Sequence, residues 1–327
     1  MEKTMEEAME ETMEKTMENT MPCPKLSIKK SKKIATTIFL AVLSLLITLA
    51  SPNTPAQAAA DGPKIISLYA ADTEILLRLG ARDNLVGISR QETYDGPETV
   101  GWTRPPTFSI HDDVEKFLAA SPDYVLLRPQ HLATKPALFD FLEKNGIKLW
   151  TKQCTKASEL ADFWREIGQI ANRTKEAEKM IQDFQEAVAK YNSLNSLDQS
   201  DKPGVFLESI HKEVKTFTPD SIPIWLITLA GGQNVASDAQ PARPGLIVAD
   251  YGPERLLEKA QEVDIFISQE GPMNPITLDQ IKDRSIFRVL PAFQNDRVYR
   301  VPEELISRPT PSLLEGLELL SKQIKGQ

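Results

Sequence analysis

The sequence predicts an α/β protein of two lobes, each a mostly parallel central sheet flanked by helices, joined by one long rigid helix. Three observations predict this. Short apolar runs alternate with amphipathic stretches before residue 173 and again after residue 203, the rhythm of strand–helix–strand units with right-handed crossovers. Between them, Thr174–Leu194 sets Ala177, Met180, Ile181, Phe184, Ala187, Val188, Tyr191 and Leu194 on one helical face, with Lys, Glu, Gln and Asp on the other. At about 1.5 Å per residue such a helix runs about 30 Å, the width of a small domain. Residues 195–203 then turn polar, so lobes at 61–173 and 203–327 are expected around a linking helix at 174–196.

Taken in order, residues 1–28 open with a Met-Glu-x-Thr tetrapeptide repeat. A period of four drifts around a helix, so the segment reads as low complexity without a fold of its own. Residues 29–60 read as a signal peptide: Lys29, Lys30, Lys32 and Lys33, an apolar run over 34–50, then a small-residue site around Ala58 and Ala60. No Cys follows the apolar run, so a lipid-modified cysteine is not expected; the protein should be exported to the periplasm and soluble there. Residues 1–60 hold seven Glu and seven Lys, so the net charge of −8 belongs to the remainder. That acidic balance excludes nucleic acid and anionic membrane as the natural partners. Cys23 leaves with the leader and Cys154 remains alone, so no internal disulfide is expected.

From residue 64 the pattern predicts strands at 64–69, 84–89, 123–128 and 147–150, and helices at 72–79, 112–120, 137–144 and 158–171. The second half predicts strands at 204–209, 263–268 and 297–301, and helices at 223–229, 253–261, 277–283 and 312–325. Ser312 and Glu315 are placed to form a capping box on the last of these.

Enzyme signatures are missing: no G-x-S-x-G, no glycine-rich phosphate loop, no H-E-x-x-H and no C-x-x-C. The three histidines, His111, His131 and His211, show no metal-ligand spacing, so neither a resident metal nor a cofactor is expected. In open α/β sheets ligands bind beyond the carboxyl ends of strands. Tyr69, Arg90, Arg128, Gln130, His131, His211, Gln269 and Glu270 fall just past predicted strands. Trp102 and Arg104 lie in the longest loop of the first lobe, and Arg243 and Arg308 in loops of the second. Arginine and aromatic groups facing a cleft suit a planar or anionic small ligand. Trp225, in an apolar helix, is expected in the core.

Several ordered motifs resemble one family. Residues 65–88 (Ile-Ile-Ser-Leu, then Thr73-Glu74-Ile75-Leu76, Leu79-Gly80-Ala81 and Val86-Gly87-Ile88) resemble the opening of the periplasmic binding proteins for iron–siderophore, haem and cobalamin. Residues 114–125, residues 230–236 (Ala-Gly-Gly-Gln-Asn-Val-Ala), residues 297–301 and Ser307-Arg308-Pro309 resemble its later segments in the same order. The resemblance implies a protein that does no chemistry, hands a metal chelate to an ABC importer of permease dimer and ATPase, and works as a monomer. It implies that Glu115 and Glu254, each near the start of a short helix, dock on the permease, although acidic residues in first turns also complement the helix dipole. The family often has Ser-Pro where this chain has Tyr69-Ala70, and Arg243 stands where cobalamin binders carry a cleft tryptophan. Those departures weaken cobalamin, and His131 with the several arginines suits an anionic ferric chelate better, with a haem or cobalamin carrier kept as an alternative. A free zinc or manganese carrier using the histidines, and a metal-chelate enzyme of the same fold, are the alternatives.

Overall fold

The computed structural model describes residues 62–194, 202–243, 245–272 and 274–326. The expected low-complexity segment and signal peptide lie outside them. In the N-terminal lobe, β1 (Ile65–Ser67), β2 (Leu85–Ser89), β3 (Thr107–Phe108), β4 (Tyr124–Leu127) and β5 (Lys148–Thr151) form one parallel sheet, ordered β3-β2-β1-β4-β5. Ile65, Ile66, Val125, Leu126 and Leu127 are all buried, as strands covered on both faces must be. The crossover helices are α1 (Ala70–Arg78), α2 (Val114–Ala120) and the pair α3 (Pro129–Thr134) and α4 (Pro136–Lys144), and α5 (Leu160–Ile170) follows the last strand. The chain runs outward from β1 in both directions, so the switch point lies between the carboxyl ends of β1 and β4.

Helix α6 (Thr174–Leu194) follows, with the bounds its apolar stripe predicts. The C-terminal lobe runs β6 (Gly204–Glu208), β7 (Thr216–Phe217), α7 (Ile222–Leu229), β8 (Gln233–Asn234), β9 (Gln240–Pro241), β10 (Val248–Asp250) and α8 (Gly252–Glu258). It continues with β11 (Ile265–Glu270), α9 (Leu278–Lys282), α10 (Pro291–Gln294), β12 (Val298–Pro302), α11 (Glu303–Ile306) and α12 (Leu313–Lys325). Its main sheet is parallel, ordered β12-β11-β6-β8, and a small antiparallel sheet β7-β10-β9 stands beside it. β3, β7, β8 and β9 are two residues each, too short for an alternation pattern to announce them.

The lobes are not joined by α6 alone. Leu76 of α1, Trp164 of α5, Phe184 of α6, Leu226 of α7 and Leu317 of α12 belong to one continuous apolar core. α5 and α6 meet so closely at Gly168 that a Cβ there would stand 2.5 Å from the Ala177 methyl. Polar bonds cross the same boundary. Trp164 Nε1–H donates to Pro309 O at 2.7 Å, and Ile222 N–H to Thr155 O at 3.0 Å. Buried Glu74 of α1 accepts from Arg78 Nε at 2.9 Å and from Ser312 Oγ at 2.6 Å. This displaces the capping box expected at Ser312 and Glu315: Ser312 has helical φ/ψ and makes no cap bond, its hydroxyl being committed to Glu74. A true capping box forms instead at Thr277 and Gln280, which start α9.

Candidate functional site

Where β1 and β4 end, the chain leaves two bulky groups side by side. Tyr69 sits in extended backbone before α1, and Arg128 just before Pro129 starts α3. Pro129 fixes both the helix start and the extended conformation of Arg128. The Arg128 guanidinium stacks over the Tyr69 ring at 4.7 Å to its centroid. They open onto a cavity of about 450 Å³, also lined by Arg90, Gln91, Ser109 and His111, by His131, and across the gap by Pro272, Glu303 and Arg308 of the C-terminal lobe.

The charges in this cavity are unequally engaged. Arg90 is exposed and paired with Asp112 at 2.7 Å. Arg308 is only 7 % exposed, yet its recorded partner is a neutral hydroxyl, Thr93 Oγ1 at 3.2 Å, on the opposite lobe. Arg128 has the Tyr69 ring, and Gln130 once that amide is oriented to accept its protons. Among the described residues neither Arg128 nor Arg308 pairs with a carboxylate. A guanidinium this buried without a counter-ion is costly, and a ligand anion would relieve that cost. Burial holds the Glu303 carboxyl above the usual carboxylate range, opposed by Arg308 and Arg128. Burial raises Glu92 as well, and one of its carboxylate oxygens has no partner. Burial and then the Arg128 charge push His131 down to about 4, so its ring is neutral at ordinary pH with Nδ1 unpartnered. The cavity therefore sets two guanidinium groups, with no paired carboxylate among the described residues, beside Glu303, an acid whose carboxyl burial shifts upward.

Tyr69, Arg90, Arg128, His131 and Arg308 are thus brought together from the residues the sequence nominates. The others sit elsewhere. Arg104 lies over the Trp102 ring at 5.9 Å and donates to Tyr94 O at 2.8 Å, a packed pair outside the cavity lining. Gln269 is buried, donating to Ser209 O at 3.2 Å and accepting from Ser307 Oγ at 2.8 Å. His211 Nδ1 lies 2.6 Å from Asn274 Oδ1. Arg243 is exposed in the loop between β9 and β10. Trp225 is half-buried, with its ring 6.4 Å from that of Phe184, and lines a separate apolar pocket of about 330 Å³ between α5, α6 and α7. Sequence reasoning missed Ser109, His111 and Glu303. The first two follow the unannounced two-residue strand β3, whereas Glu303 opens α11 directly after β12, where an acidic first turn reads as dipole complement alone. No three His, Cys, Asp or Glu side chains among the described residues are grouped to hold a metal ion.

Two α/β lobes enclosing a charged cleft at the switch point of a parallel sheet define a two-lobed solute-binding protein. The comparisons with known proteins agree. Residues 65–305 match the family described as periplasmic binding protein, and the chain belongs to it. A vitamin B12-binding protein of Vibrio cholerae is 26% identical over 263 residues, covering 80% of this chain and 89% of that one. YvrC of Bacillus subtilis, described as an uncharacterized ABC transporter substrate-binding lipoprotein, is 24% identical over 273 residues, covering 80% and 79%. The crystal structure of a possible iron-binding, periplasmic solute-binding protein from Staphylococcus epidermidis superposes with a TM-score of 0.68 at 26% identity. It covers 80% of this chain and 98% of that one.

Proposed function

We propose that this protein is the substrate-binding component of an ABC importer, capturing an anionic, iron–siderophore-type metal chelate between its lobes and delivering it to a membrane permease and its ATPase. It acts as an exported monomer and performs no chemistry on its cargo. The observation that carries this reading is the convergence of Arg128 and Arg308, from opposite lobes, on one cavity with no carboxylate among the described residues paired to either. A charge-assisted contact to such a group is worth about 1.5–3 kcal/mol. Arg128→Ala and Arg308→Ala should each weaken binding of a ferric chelate about tenfold or more. Unchanged affinity in both would remove the charge argument. Cobalamin is the second reading, favoured by the vitamin B12-binding relative; it predicts tight cyanocobalamin binding that both arginine variants retain.

Delivery is assigned to Glu115 and Glu254. Both are exposed, each in the first turn of a short helix, α2 in one lobe and α8 in the other. Neither is held in a recorded ion pair among the described residues. Changing both to Ala should leave ligand affinity intact while abolishing stimulation of the importer ATPase, because truncating one partner of an interfacial charge pair costs about 2–5 kcal/mol. Normal uptake by the double variant would reduce both residues to dipole complements.

A further inference from the structure

Arg308 reaches the cleft from an irregular segment, residues 307–310, between α11 and α12. Outside helices and strands, a backbone holds its course only through bonds made to other parts of the fold. Here three do so. Ser307 Oγ donates to Gln269 Oε1 at 2.8 Å, within its own lobe. Thr310 N–H donates to Arg308 O at 2.8 Å, closing a three-residue turn around Pro309, whose ring pre-sets φ for it. Pro309 O, at the apex of that turn, accepts from Trp164 Nε1–H at 2.7 Å, a bond buried between the lobes.

Any buried indole N–H seeks an acceptor; what sets this one apart is where the acceptor lies and how firmly the donor is held. Trp164 is 1 % exposed, on α5 of the N-terminal lobe. Its ring meets Phe184 of α6 edge-on, with centroids 4.9 Å apart and planes at 87°. The donor is therefore fixed by the N-terminal lobe and the joining helix, while the acceptor is the chain neighbour of the other lobe's cleft arginine. At its far end Arg308 meets the N-terminal lobe again, Nη1 donating to Thr93 Oγ1 at 3.2 Å. Backbone and guanidinium of this one residue are thus both referred to the lobe it does not belong to.

We propose that Trp164 is a positioning residue for the ligand: its N–H fixes the Pro309 carbonyl and so sets the point from which Arg308 enters the cleft. This deepens, and rests on, the anionic-chelate reading. The binding strength of the cleft then depends on a bond that no ligand touches. Trp164 does not line the cleft; its ring lies along the apolar pocket between α5, α6 and α7. Without the N–H, the buried Pro309 carbonyl loses its donor, and the turn shifts to find another. Arg308 shifts with it, and a charge-assisted contact depends on where its fork of donors stands.

The test uses the full chain and ferric citrate, with affinity read by calorimetry. Trp164→Phe removes the donor, and replacing Trp164 by benzothienylalanine removes it while keeping both fused rings. Phe184→Leu is the control that loosens the packing and leaves the N–H in place. Both donor-free variants should weaken ferric citrate binding about three- to tenfold, the reach of one hydrogen bond's net contribution. Phe184→Leu should leave it nearly unchanged. In an Arg308→Ala background the donor-free changes should have no further effect, as a double-mutant cycle requires of residues acting through one contact. A second readout needs no ligand: the Arg308 Nε–H resonance, assigned by its loss in Arg308→Ala. It should stand apart in wild type and Phe184→Leu, and merge with those of the exposed arginines when the indole donor is gone. Equal losses in Phe184→Leu and Trp164→Phe, full affinity in both donor-free variants, or an undiminished loss in the Arg308→Ala background overturns the inference while leaving anion binding standing. Failure of ferric citrate to bind wild type counts against the anionic-chelate reading, and the Arg308 resonance alone then decides whether Trp164 positions that side chain.

Discussion

At the carboxyl ends of β1 and β4, Tyr69 and Arg128 stack on each other and face open space; at the matching ends of β6 and β11, the polar groups are tied to their own lobe. There Glu208, fully buried, accepts from Ser268 Oγ at 2.7 Å and from Arg284 at 2.6 and 2.9 Å. Arg284 in turn lies over the Phe266 and Phe287 rings. Asn274 accepts from His211 N–H at 2.9 Å and donates to Gln269 O at 2.5 Å. Two sheets of the same design thus use their switch points oppositely. One lobe leaves its donors unfilled and is built to recognise; the other fills its donors and is built to hold. The C-terminal lobe still reaches the cavity, through Arg308 and Glu303, which follow β12 instead of its switch strands.

The largest expected effect falls on the satisfied side. Glu208→Ala leaves Arg284 buried without its counter-ion and should cost about 3–5 kcal/mol of stability, read as a lower urea midpoint, with ligand affinity little changed. If affinity drops and stability does not, the division of labour between the lobes is wrong. A smaller effect is expected on the open side, from Asp72. Burial keeps its proton on in the folded protein well above the ordinary carboxyl range, so the folded state binds more protons than the unfolded one as pH rises through that window. Stability therefore falls with rising pH there. Asp72→Asn should lack this fall and gain on wild type towards alkaline pH in thermal denaturation. Parallel profiles would place the acid in a wetter site than described.

His131 should act with the opposite sign. Its folded value of about 4 lies below the ordinary 6.5, so the unfolded chain binds more protons between them and stability declines as pH drops through that window. His131→Asn should flatten that decline, and the imidazole 13C shifts should show a neutral ring at pH near 6. A charged ring there would mean that His131 is less buried, or Arg128 farther off, than described. The smallest test concerns Cys154, buried behind the N-terminal lobe, with its thiol pushed up to about 12 by burial and by Glu159. It should resist thiol reagents until denaturant is added. Rapid modification under native conditions would show the N-terminal lobe opening by itself.

Long periodic signals were the legible ones. The α6 stripe fixed that helix to its bounds, and the apolar runs of β1, β2, β4, β6 and β11 located both parallel sheets. The strand-end rule then found Tyr69, Arg128 and His131, because in a parallel sheet those ends share one edge. It did not bring His211 and Gln269 into that lining: both follow strands as expected, but their side chains are engaged in hydrogen bonds, a tertiary property. Trp102 and Arg104 stand outside that lining for a related reason: a Gly/Pro-rich loop looks open in one dimension, yet here it folds onto its own neighbours. Ser312 obeyed a local capping pattern in sequence and a distant carboxylate in space.

The bond from Ser312 to Glu74 joins residues 238 positions apart, and Trp164 finds its acceptor at Pro309, 145 positions on. Read in time instead of space, the first helix after β1 meets its buried carboxylate with Arg78 of its own helix at once, but gains the second donor only when Ser312 has been made. The N-terminal lobe emerges first and is finished last. A chain that stops short of residue 309 would hold a complete N-terminal sheet with an unmet indole N–H and an acid one donor short at its back, so that lobe is expected to stay pliable until those residues arrive.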